Sequence, residues 1–241
     1  MTVTGRLVLF DLDGTLVDSS PGIWASVRHA ARELGLPEPT PQQLRAMVGP
    51  PLQDGFGLVL GVPAATVPEA VAAYRAHYAA GALLDVTVHD GIRELLAALD
   101  AAGATLAVAT SKPEPFAVRV LDHTGLLAWF ATVHGATLDG AVRHKDQVIA
   151  AALAAHPDGR DPVLVGDRSH DVHGAAVHGL PCIGAGWGPA EDGELETAGA
   201  VGIAATPADV LPLLARPGAG LPRRRPGPSV EAIGRGASVR P

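Results

Sequence analysis

Short apolar runs alternate with longer amphipathic stretches along most of this chain. The apolar runs cover residues 6–10, 105–109, 162–166 and 181–185, and such runs are typical of strands that are buried on both faces of a parallel sheet. Between them, apolar residues spaced three and four apart predict helices over residues 91–102, 115–123 and 146–156. Alternating strands and helices predict an α/β fold with a doubly wound parallel sheet.

The stretch from residue 19 to residue 85 interrupts this alternation. Helical patterns over residues 20–36, 41–48, 52–60 and 67–80 follow one another without a strand-like apolar run. Turn-forming segments rich in Pro and Gly, at residues 37–41, 49–51 and 61–63, separate these helices. We therefore expect an all-helical cap (residues 19–85) that is inserted into an α/β core made of residues 1–18 and 86–215.

The last 26 residues, 216–241, differ from the rest of the chain in composition. They consist largely of Pro, Gly and Arg with few large apolar residues, so this tail is expected to be disordered. Six Arg and one Glu give the tail a net charge of +5, and because the whole chain carries -7, residues 1–215 carry -12. Such an acidic body argues against a nucleic-acid-binding surface on the folded part.

Targeting and redox features are few. The N-terminus lacks the basic segment of a signal peptide, and no uninterrupted apolar stretch reaches the length of about 18 residues that suggests a membrane span. The single cysteine, Cys182, lies in a short apolar run and has no partner for an internal disulfide. These features predict a soluble, cytoplasmic protein without a membrane partner, and they leave the choice between monomer and dimer open.

Two carboxylates directly follow the first predicted strand, in the segment Asp11-Leu12-Asp13-Gly14-Thr15. In an open parallel sheet, functional groups gather beyond the carboxyl ends of the strands. Asp11 and Asp13 are therefore candidates to share a divalent cation, and oxygen ligands completed by a substrate phosphate suit Mg²⁺. A solvated acidic turn would explain the same five residues, so this segment alone leaves both interpretations open.

Three further polar clusters lie at the end of a predicted strand or the start of a predicted helix. They are Thr110-Ser111-Lys112, Arg143-His144-Lys145-Asp146 and Gly166-Asp167-Arg168 with Asp171. Hydroxyls and a helix N-terminus after residue 109 are suited to hold phosphoryl oxygens. Asp167 and Asp171 are four residues apart, so they would share one face of a helix that started there.

The two lysines of the chain, Lys112 and Lys145, both fall within these clusters, whereas arginines supply the other 16 cationic side chains. A lysine ammonium is a compact charge that fits between a carboxylate and a phosphate. This placement favours a functional role for both lysines, and an ordinary surface position is the alternative for Lys112.

The four motifs, taken in chain order, resemble those of the haloacid dehalogenase superfamily. The resemblance covers about residues 6–214 and is to the phosphoglycolate-phosphatase-like branch, in which a helical C1 cap lies between the first and second motifs. Arg168 follows Asp167 where the family more often has Ser. The resemblance implies a Rossmann-like core and an Mg²⁺-dependent phosphatase that works through an aspartyl phosphate.

The resemblance also implies roles for individual residues. Asp11 would be the nucleophile and Asp13 the general acid and base, while Thr110 and Lys145 would stabilise the transferring phosphoryl group. The implied ligands of Mg²⁺ are the Asp11 carboxylate, the Asp13 carbonyl and Asp167, with Asp171 either bound through water or orienting its neighbours. The residues expected to contact the substrate are Gly14, Thr15, Ser111, Lys112, Arg45 and Gln53.

A cap that closes over the phosphate site excludes water, which favours a small phosphorylated metabolite as substrate. The cap residues expected to recognise its leaving group are Arg28, Arg45, Gln53 and Arg75, and arginines suit an anionic handle. We expect a phosphoglycolate-like acid or a nucleoside 5′-monophosphate. A phosphomutase of the same superfamily and a phosphorylatable or non-catalytic interaction domain are the alternatives.

Overall fold

The computed structural model describes residues 3–215, so the prediction of a disordered tail at residues 216–241 lies outside the described part of the chain. Its strands are β1 (Arg6–Phe10), β2 (Val17–Asp18), β3 (Thr87–Val88), β4 (Thr105–Pro113), β5 (Thr132–Ala136), β6 (Arg160–Gly166), β7 (Cys182–Ala185) and β8 (Gly202–Ala204). Six of them form one sheet in the order β5-β4-β1-β6-β7-β8, and all its pairings are parallel. The predicted doubly wound α/β fold is confirmed.

Helices follow most of these strands. They are α1 (Ser20–Glu33), α2 (Pro41–Ala46), α3 (Leu52–Asp54), α4 (Val67–Ala80), α5 (Ile92–Ala101), α6 (Glu114–His123), α7 (Lys145–Ala155), α8 (Ser169–Val177), α9 (Glu194–Ala198) and α10 (Val210–Ala215). A π-helical turn (Gly55–Val59) continues α3, and 3-10 turns lie at Ala82–Leu84, Leu127–Trp129 and Pro207–Asp209. Within residues 3–215, none of the helices is both long and apolar enough to cross a membrane.

The sheet is covered on both faces, as a parallel sheet requires. Alternate side chains of β1 point to opposite layers, because successive residues of a strand face opposite ways. Val8 and Phe10 join a cluster that includes apolar residues of α5, α6 and the cap, whereas Leu7 and Leu9 join a second cluster with residues of α7 and α8. The first strand is therefore the centre of the core, and its end is held firmly in place.

Two strands of the six-stranded sheet, β5 and β8, have no counterpart among the sequence predictions, and neither do the two short strands β2 and β3. β5 and β8 lie at the edges of the sheet, and most of their residues are only half-buried. Edge strands bury less apolar surface, so β5 carries Thr132 and His134 and does not read as an apolar run. β4 also continues past its predicted end at residue 109 through Pro113.

The predicted cap, residues 19–85, contains helices as its described regular elements. Its two connections to the core run side by side, because β2 and β3 pair as an antiparallel ribbon that joins Val17 to Val88. Gly22 of α1 lies against the backbone of Ala82, where any β-carbon would overlap the Ala82 carbonyl oxygen. The ribbon and this close contact hold the start and the end of the cap together.

The register of the sheet brings three strand ends to one place. Phe10, the last residue of β1, pairs with Val108 of β4 on one side and with Val165 of β6 on the other. The residues that follow these positions therefore meet at the same edge of the sheet. They belong to the first, second and fourth polar clusters of the sequence.

Candidate active site

Asp11 and Lys145 lie at the centre of the sheet edge where β1, β4 and β6 end. Asp11 directly follows β1, and its amide donates a hydrogen bond to the Val165 carbonyl oxygen at 2.9 Å. Lys145 is the first residue of α7, and its Nζ donates to Asp11 Oδ1 at 2.6 Å and to the Ala109 carbonyl oxygen at 2.8 Å. Both side chains are buried, so a single ammonium holds the carboxylate at the junction of β1 and β4.

Three carboxylates lie together at this position. Asp11, Asp167 and Asp171 are all buried, and each offers an oxygen within 4.8 Å of the others. Lys145 Nζ also lies 2.7 Å from Asp171 Oδ1. Asp167 and Asp171 do not share a helix, because α8 begins at Ser169, so the condition for a shared helix face is not met. The bend between β6 and α8 brings them together instead.

The cluster fits a divalent cation. Its ionised carboxylates carry two more negative charges than Lys145 can balance, and oxygen atoms are the ligands that Mg²⁺ prefers. Asp167 Oδ1 accepts a hydrogen bond from Thr15 Oγ1 at 2.6 Å, whereas Asp167 Oδ2 is buried and has no hydrogen-bond partner in the described part of the chain. A buried carboxylate oxygen without a partner is costly, and a bound cation would remove that cost.

The pKa values show the same excess of buried negative charge. Burial raises the pKa of Asp11 to about 6, although the charge of Lys145 opposes this rise. Burial and the charges of Asp171 and Asp11 hold the pKa of Asp167 well above its usual range. Burial disfavours the ionised form of Asp171 too, but the charge and hydrogen bond of Lys145 outweigh it and lower that pKa.

Two glycines allow the loops to approach Asp167 closely. Gly14 has a φ of +91°, and a β-carbon there would lie 2.5 Å from Asp167 Oδ2. A β-carbon on Gly188, in the loop after β7, would overlap the Asp167 side chain. In the same loop, Trp187 Nε1 donates to the Thr15 carbonyl oxygen at 2.9 Å. Gly14 and Thr15, expected from the sequence to contact the substrate, are thus packed around Asp167.

Asp13 points away from this cluster. Its Oδ1 accepts hydrogen bonds from Ser19 Oγ at 2.6 Å and from Lys112 Nζ at 2.8 Å, and its Oδ2 accepts from Lys112 Nζ at 2.9 Å. Lys112 Nζ also donates to the hydroxyl of Tyr78, a cap residue, at 2.6 Å. Lys112 is 7% exposed, so the alternative of a surface lysine is excluded.

A cavity separates the cap from the core beside Asp13. Its core side includes Asp13, Ser111 and Lys112, and the cap contributes Gln53 and Arg75. Ser111 Oγ is buried without a hydrogen-bond partner in residues 3–215, so it is available to a ligand. Thr110 is buried at the end of β4, where its Oγ1 accepts a hydrogen bond from the Lys112 amide at 3.2 Å.

Two of the cap arginines expected at this cavity lie elsewhere. Arg28 Nε pairs with Glu38 Oε1 at 2.9 Å, and neither Arg28 nor Arg45 lines the cavity. Leu44 is the buried residue of α2, and the next residue of a helix points about 100° away, so Arg45 is exposed. The expectation that Arg45 contacts the substrate is therefore not supported.

The sequence assigns no role to several other residues of the cavity and its rim. Arg143 lines the cavity, and its place in the third polar cluster was the available signal. Arg168 bridges core and cap: its Nε pairs with Glu194 Oε1 at 3.0 Å, and its Nη1 donates to the Val48 carbonyl oxygen at 2.7 Å. No sequence signal marks Tyr78 as a site residue, because in the sequence it cannot be told apart from a buried aromatic residue of α4.

Comparison with known proteins shows which family the chain resembles. A family model described as "Haloacid dehalogenase-like hydrolase" matches residues 8–185. The chain is 47% identical over 185 residues to "Tyrosine-protein kinase PtkA" of Mycobacterium tuberculosis, covering 76% of this chain and 62% of that protein. It thus spans less than two thirds of the length of that relative.

Two further relatives are covered over most of their length. The chain is 41% identical to a "5'-nucleotidase" of Pseudomonas aeruginosa, covering 78% of this chain and 86% of that protein. It is 34% identical to a "Phosphoglycolate phosphatase" of Xanthomonas campestris pv. campestris, covering 76% of this chain and 84% of that protein. The crystal structure of "a predicted phosphatase from Clostridium acetobutylicum" matches with a TM-score of 0.80 and 36% identity, covering 86% of this chain and 95% of that chain.

Proposed function

The chain belongs to the haloacid dehalogenase-like hydrolase family, and from this membership we propose that it is an Mg²⁺-dependent phosphatase of small anionic phosphomonoesters. The observation that carries the proposal is the bond from Lys145 to Asp11 within a buried cluster of three carboxylates. A carboxylate held at the end of the central strand is suited to attack phosphorus. The related 5'-nucleotidase and phosphoglycolate phosphatase support the same reaction class.

In the first half-reaction, an Asp11 carboxylate oxygen attacks phosphorus while the bond from phosphorus to the leaving oxygen breaks. Asp13, in its protonated form, gives its proton to that leaving oxygen, which departs as an alcohol. Lys145 holds the attacking carboxylate, and with the hydroxyls of Thr110 and Ser111 it stabilises the charge on the transferring phosphoryl group. The product is an aspartyl phosphate on Asp11.

In the second half-reaction, water replaces the departed alcohol. The Asp13 carboxylate takes a proton from the water, whose oxygen attacks phosphorus while the bond to Asp11 breaks. Inorganic phosphate leaves, and both Asp11 and Asp13 return to their starting states. Asp11, Asp167 and Asp171, with the Asp13 carbonyl, would hold Mg²⁺, which neutralises phosphate charge when bound.

The cavity supports a leaving group that carries its own negative charge. Arg75 and Arg143 both line it, and Arg75 Nε is buried without a hydrogen-bond partner in the described residues. Guanidinium groups bind carboxylates and phosphates through paired hydrogen bonds. A phosphoglycolate-like acid meets this requirement, because glycolate keeps its carboxylate, whereas the sugar released from a neutral sugar phosphate has no charge. A nucleoside 5′-monophosphate releases an uncharged nucleoside, and it stays a candidate because of the related 5'-nucleotidase.

A metabolite panel with a matched pair of variants tests this substrate class. We expect phosphoglycolate or a nucleoside monophosphate to exceed glucose 6-phosphate in kcat/KM. Arg75→Met should reduce kcat/KM for the anionic substrate about tenfold or more, the loss expected when a charge-assisted hydrogen bond of about 1.5–3 kcal/mol is removed. Arg45→Met, in the same cap but outside the cavity, should leave it unchanged.

Either of two outcomes would reject the proposed substrate class. One is a panel in which neutral sugar phosphates rank first. The other is an equal loss in the Arg75→Met and Arg45→Met variants, which would return Arg45 to the list of substrate contacts.

A second candidate function is transfer of the phosphoryl group to an acceptor other than water. It is favoured by the 47% identity to a protein named as a tyrosine kinase, and a phosphomutase would use the same aspartyl phosphate. The two outcomes differ in where the phosphoryl group goes. The hydrolase proposal would be rejected if the labelled phosphoryl group of the substrate accumulated on a tyrosine peptide or a sugar acceptor while the release of free phosphate stayed at background.

A further inference from the structure

We infer that Trp187, in the loop after β7, positions the proposed metal ligand Asp167 and thereby sets the affinity of the site for Mg²⁺. The inference rests on the proposed function, in which Asp167 helps to hold the cation. Trp187 acts through Thr15, whose side chain contacts Asp167, so it is a positioning residue and not itself a ligand.

Two consecutive hydrogen bonds connect the Trp187 indole to Asp167. Trp187 Nε1 donates to the Thr15 carbonyl oxygen at 2.9 Å, and Thr15 Oγ1 donates to Asp167 Oδ1 at 2.6 Å. The three residues come from the loops that follow β7, β1 and β6. Thr15 and Asp167 are fully buried, so water does not compete for the bond between them.

The bond from Thr15 determines which oxygen of Asp167 stays available to a cation. Asp167 Oδ1 is occupied by the Thr15 hydroxyl, whereas Asp167 Oδ2 is buried without a hydrogen-bond partner in residues 3–215. Hydrogen bonds from outside the ligand set orient metal ligands, and their loss typically weakens metal binding 10–100-fold. A shift of the Thr15 backbone would move the hydroxyl that orients Asp167.

The loop that carries Trp187 is anchored on both sides of the indole. The Gly186 amide donates to a carbonyl oxygen of β8 at 2.8 Å, and the Gly188 amide donates to the Ala185 carbonyl oxygen at 3.1 Å. The loop also packs directly on the proposed ligand, because a β-carbon on Gly188 would overlap the Asp167 side chain. Trp187 therefore holds the Thr15 backbone from a fixed position.

A simple packing role for Trp187 makes a different prediction. Trp187 is half-buried and packs against the larger of the two apolar clusters, so its replacement would lower stability in either case. A packing role alone leaves the affinity for Mg²⁺ unchanged, whereas a positioning role lowers that affinity. The affinity for Mg²⁺, measured apart from the stability of the metal-free protein, separates the two.

Trp24 provides a matched control. Its Nε1 also donates to a backbone carbonyl oxygen, that of Leu44, at 2.8 Å. Trp24 is half-buried like Trp187, but it lies in α1 and contacts α2 through this bond. Trp24→Phe and Trp187→Phe therefore remove the same kind of hydrogen bond, and only one of the two bonds leads to Asp167.

The experiment follows thermal unfolding of the full-length wild type, Trp187→Phe and Trp24→Phe over a series of Mg²⁺ concentrations, without substrate. In EDTA, both variants should have a somewhat lower Tm than the wild type, because each loses one hydrogen bond. Trp187→Phe should need about tenfold more Mg²⁺ than the wild type for the same rise in Tm. Trp24→Phe should need the same concentration as the wild type.

Thr15→Val tests the second hydrogen bond on its own. It removes the hydroxyl that donates to Asp167, so we expect it to weaken Mg²⁺ binding about tenfold or more. Adding Trp187→Phe to Thr15→Val should weaken binding little further, because both changes break the same connection. Thr15→Val keeps the test available if Trp187→Phe does not fold, since unchanged Mg²⁺ affinity in Thr15→Val overturns the inference.

The remaining outcomes also decide the question. The inference is overturned if Trp187→Phe binds Mg²⁺ like the wild type, if Trp24→Phe loses as much affinity, or if the losses of Thr15→Val and Trp187→Phe add in full. Each of these results leaves the proposed function intact. A wild-type protein whose Tm does not respond to Mg²⁺ would instead overturn the proposed Mg²⁺ dependence and this inference with it.

Discussion

The Asp11 side chain is the nucleophile of the proposed chemistry, and one of its oxygen atoms decides this role. Asp11→Asn should abolish turnover, because the amide that replaces the attacking oxygen is not a nucleophile. Steady-state hydrolysis of p-nitrophenyl phosphate measures this. Asp146→Asn, next to Lys145 but outside the carboxylate cluster, should retain activity. Substantial turnover in Asp11→Asn would remove Asp11 from the role of nucleophile.

Lys145 is expected to act on both catalysis and stability. Lys145→Met should lower kcat about 10²–10³-fold, the loss seen when a comparable donor to a developing charge is deleted. It should also reduce the free energy of unfolding by about 3–5 kcal/mol, because buried carboxylates lose their counter-charge. Turnover assays and urea unfolding measure the two effects separately.

Lys145→Arg serves as the conservative comparison. The ammonium contacts Asp11 Oδ1, Asp171 Oδ1 and the Ala109 carbonyl oxygen in a fully packed site. A planar guanidinium is larger and presents its donors in a fixed fork, so we expect it to restore little activity. Full activity in this variant would show that Lys145 is peripheral.

Among the elements, α9 has a part in holding the cap. Its first residue, Glu194, accepts from Arg168 Nε at 3.0 Å and from the Ser169 amide at 2.7 Å, while the same arginine bonds to the Val48 carbonyl oxygen of the cap. Burial would raise the pKa of Glu194, but these hydrogen bonds and the Arg168 charge lower it to about 2. The folded protein therefore favours ionised Glu194.

Glu194→Gln should lower the free energy of unfolding at neutral pH by about 1 kcal/mol, less than the full value of a charged hydrogen bond because the group is partly screened. Since the folded-state pKa is depressed, the ionised form stabilises the protein fully above the ordinary value of 4.5, and this contribution is lost as pH falls toward about 2. The difference between wild type and variant should shrink over that window.

Chemical denaturation at several pH values measures the difference. Glu196→Gln, at an exposed position of the same helix, should match the wild type throughout. A Glu194→Gln deficit that persists unchanged at the lowest pH would contradict the assigned cause.

At the scale of the whole molecule, Mg²⁺ should stabilise the fold, because three of its proposed ligands come together only in the folded chain. A ligand at 100 times its Kd adds about 2.7 kcal/mol, which corresponds to a rise in Tm of about 5–10 °C for a protein of this size. Thermal unfolding with Mg²⁺ and with EDTA measures the shift, and activity should disappear with EDTA.

Asp167→Asn should remove most of this Tm shift, and Asp146→Asn should keep it. Because the readout is stability, it does not depend on the identity of the substrate. An undiminished Mg²⁺ shift in Asp167→Asn would place the cation elsewhere.

Much of the core could be predicted from the sequence alone. The buried strands of a parallel sheet are continuous apolar runs, and polar residues that follow them are brought to one edge by the topology itself. This reasoning suffices to place Asp11, Thr110 and Asp167 near one another. It does not extend to β5 and β8, whose half-buried edge positions dilute the apolar pattern.

Only the tertiary structure decided what each cap residue faces. The orientation of a helix about its axis depends on packing with other helices, so Arg45 and Arg75 are equivalent candidates in the sequence although only Arg75 lines the cavity. The same holds for the contact of Tyr78 with Lys112, 34 positions apart in the chain. Local pattern determines where strands end and which residues follow them, whereas contacts across the cleft follow from how the cap packs on the core.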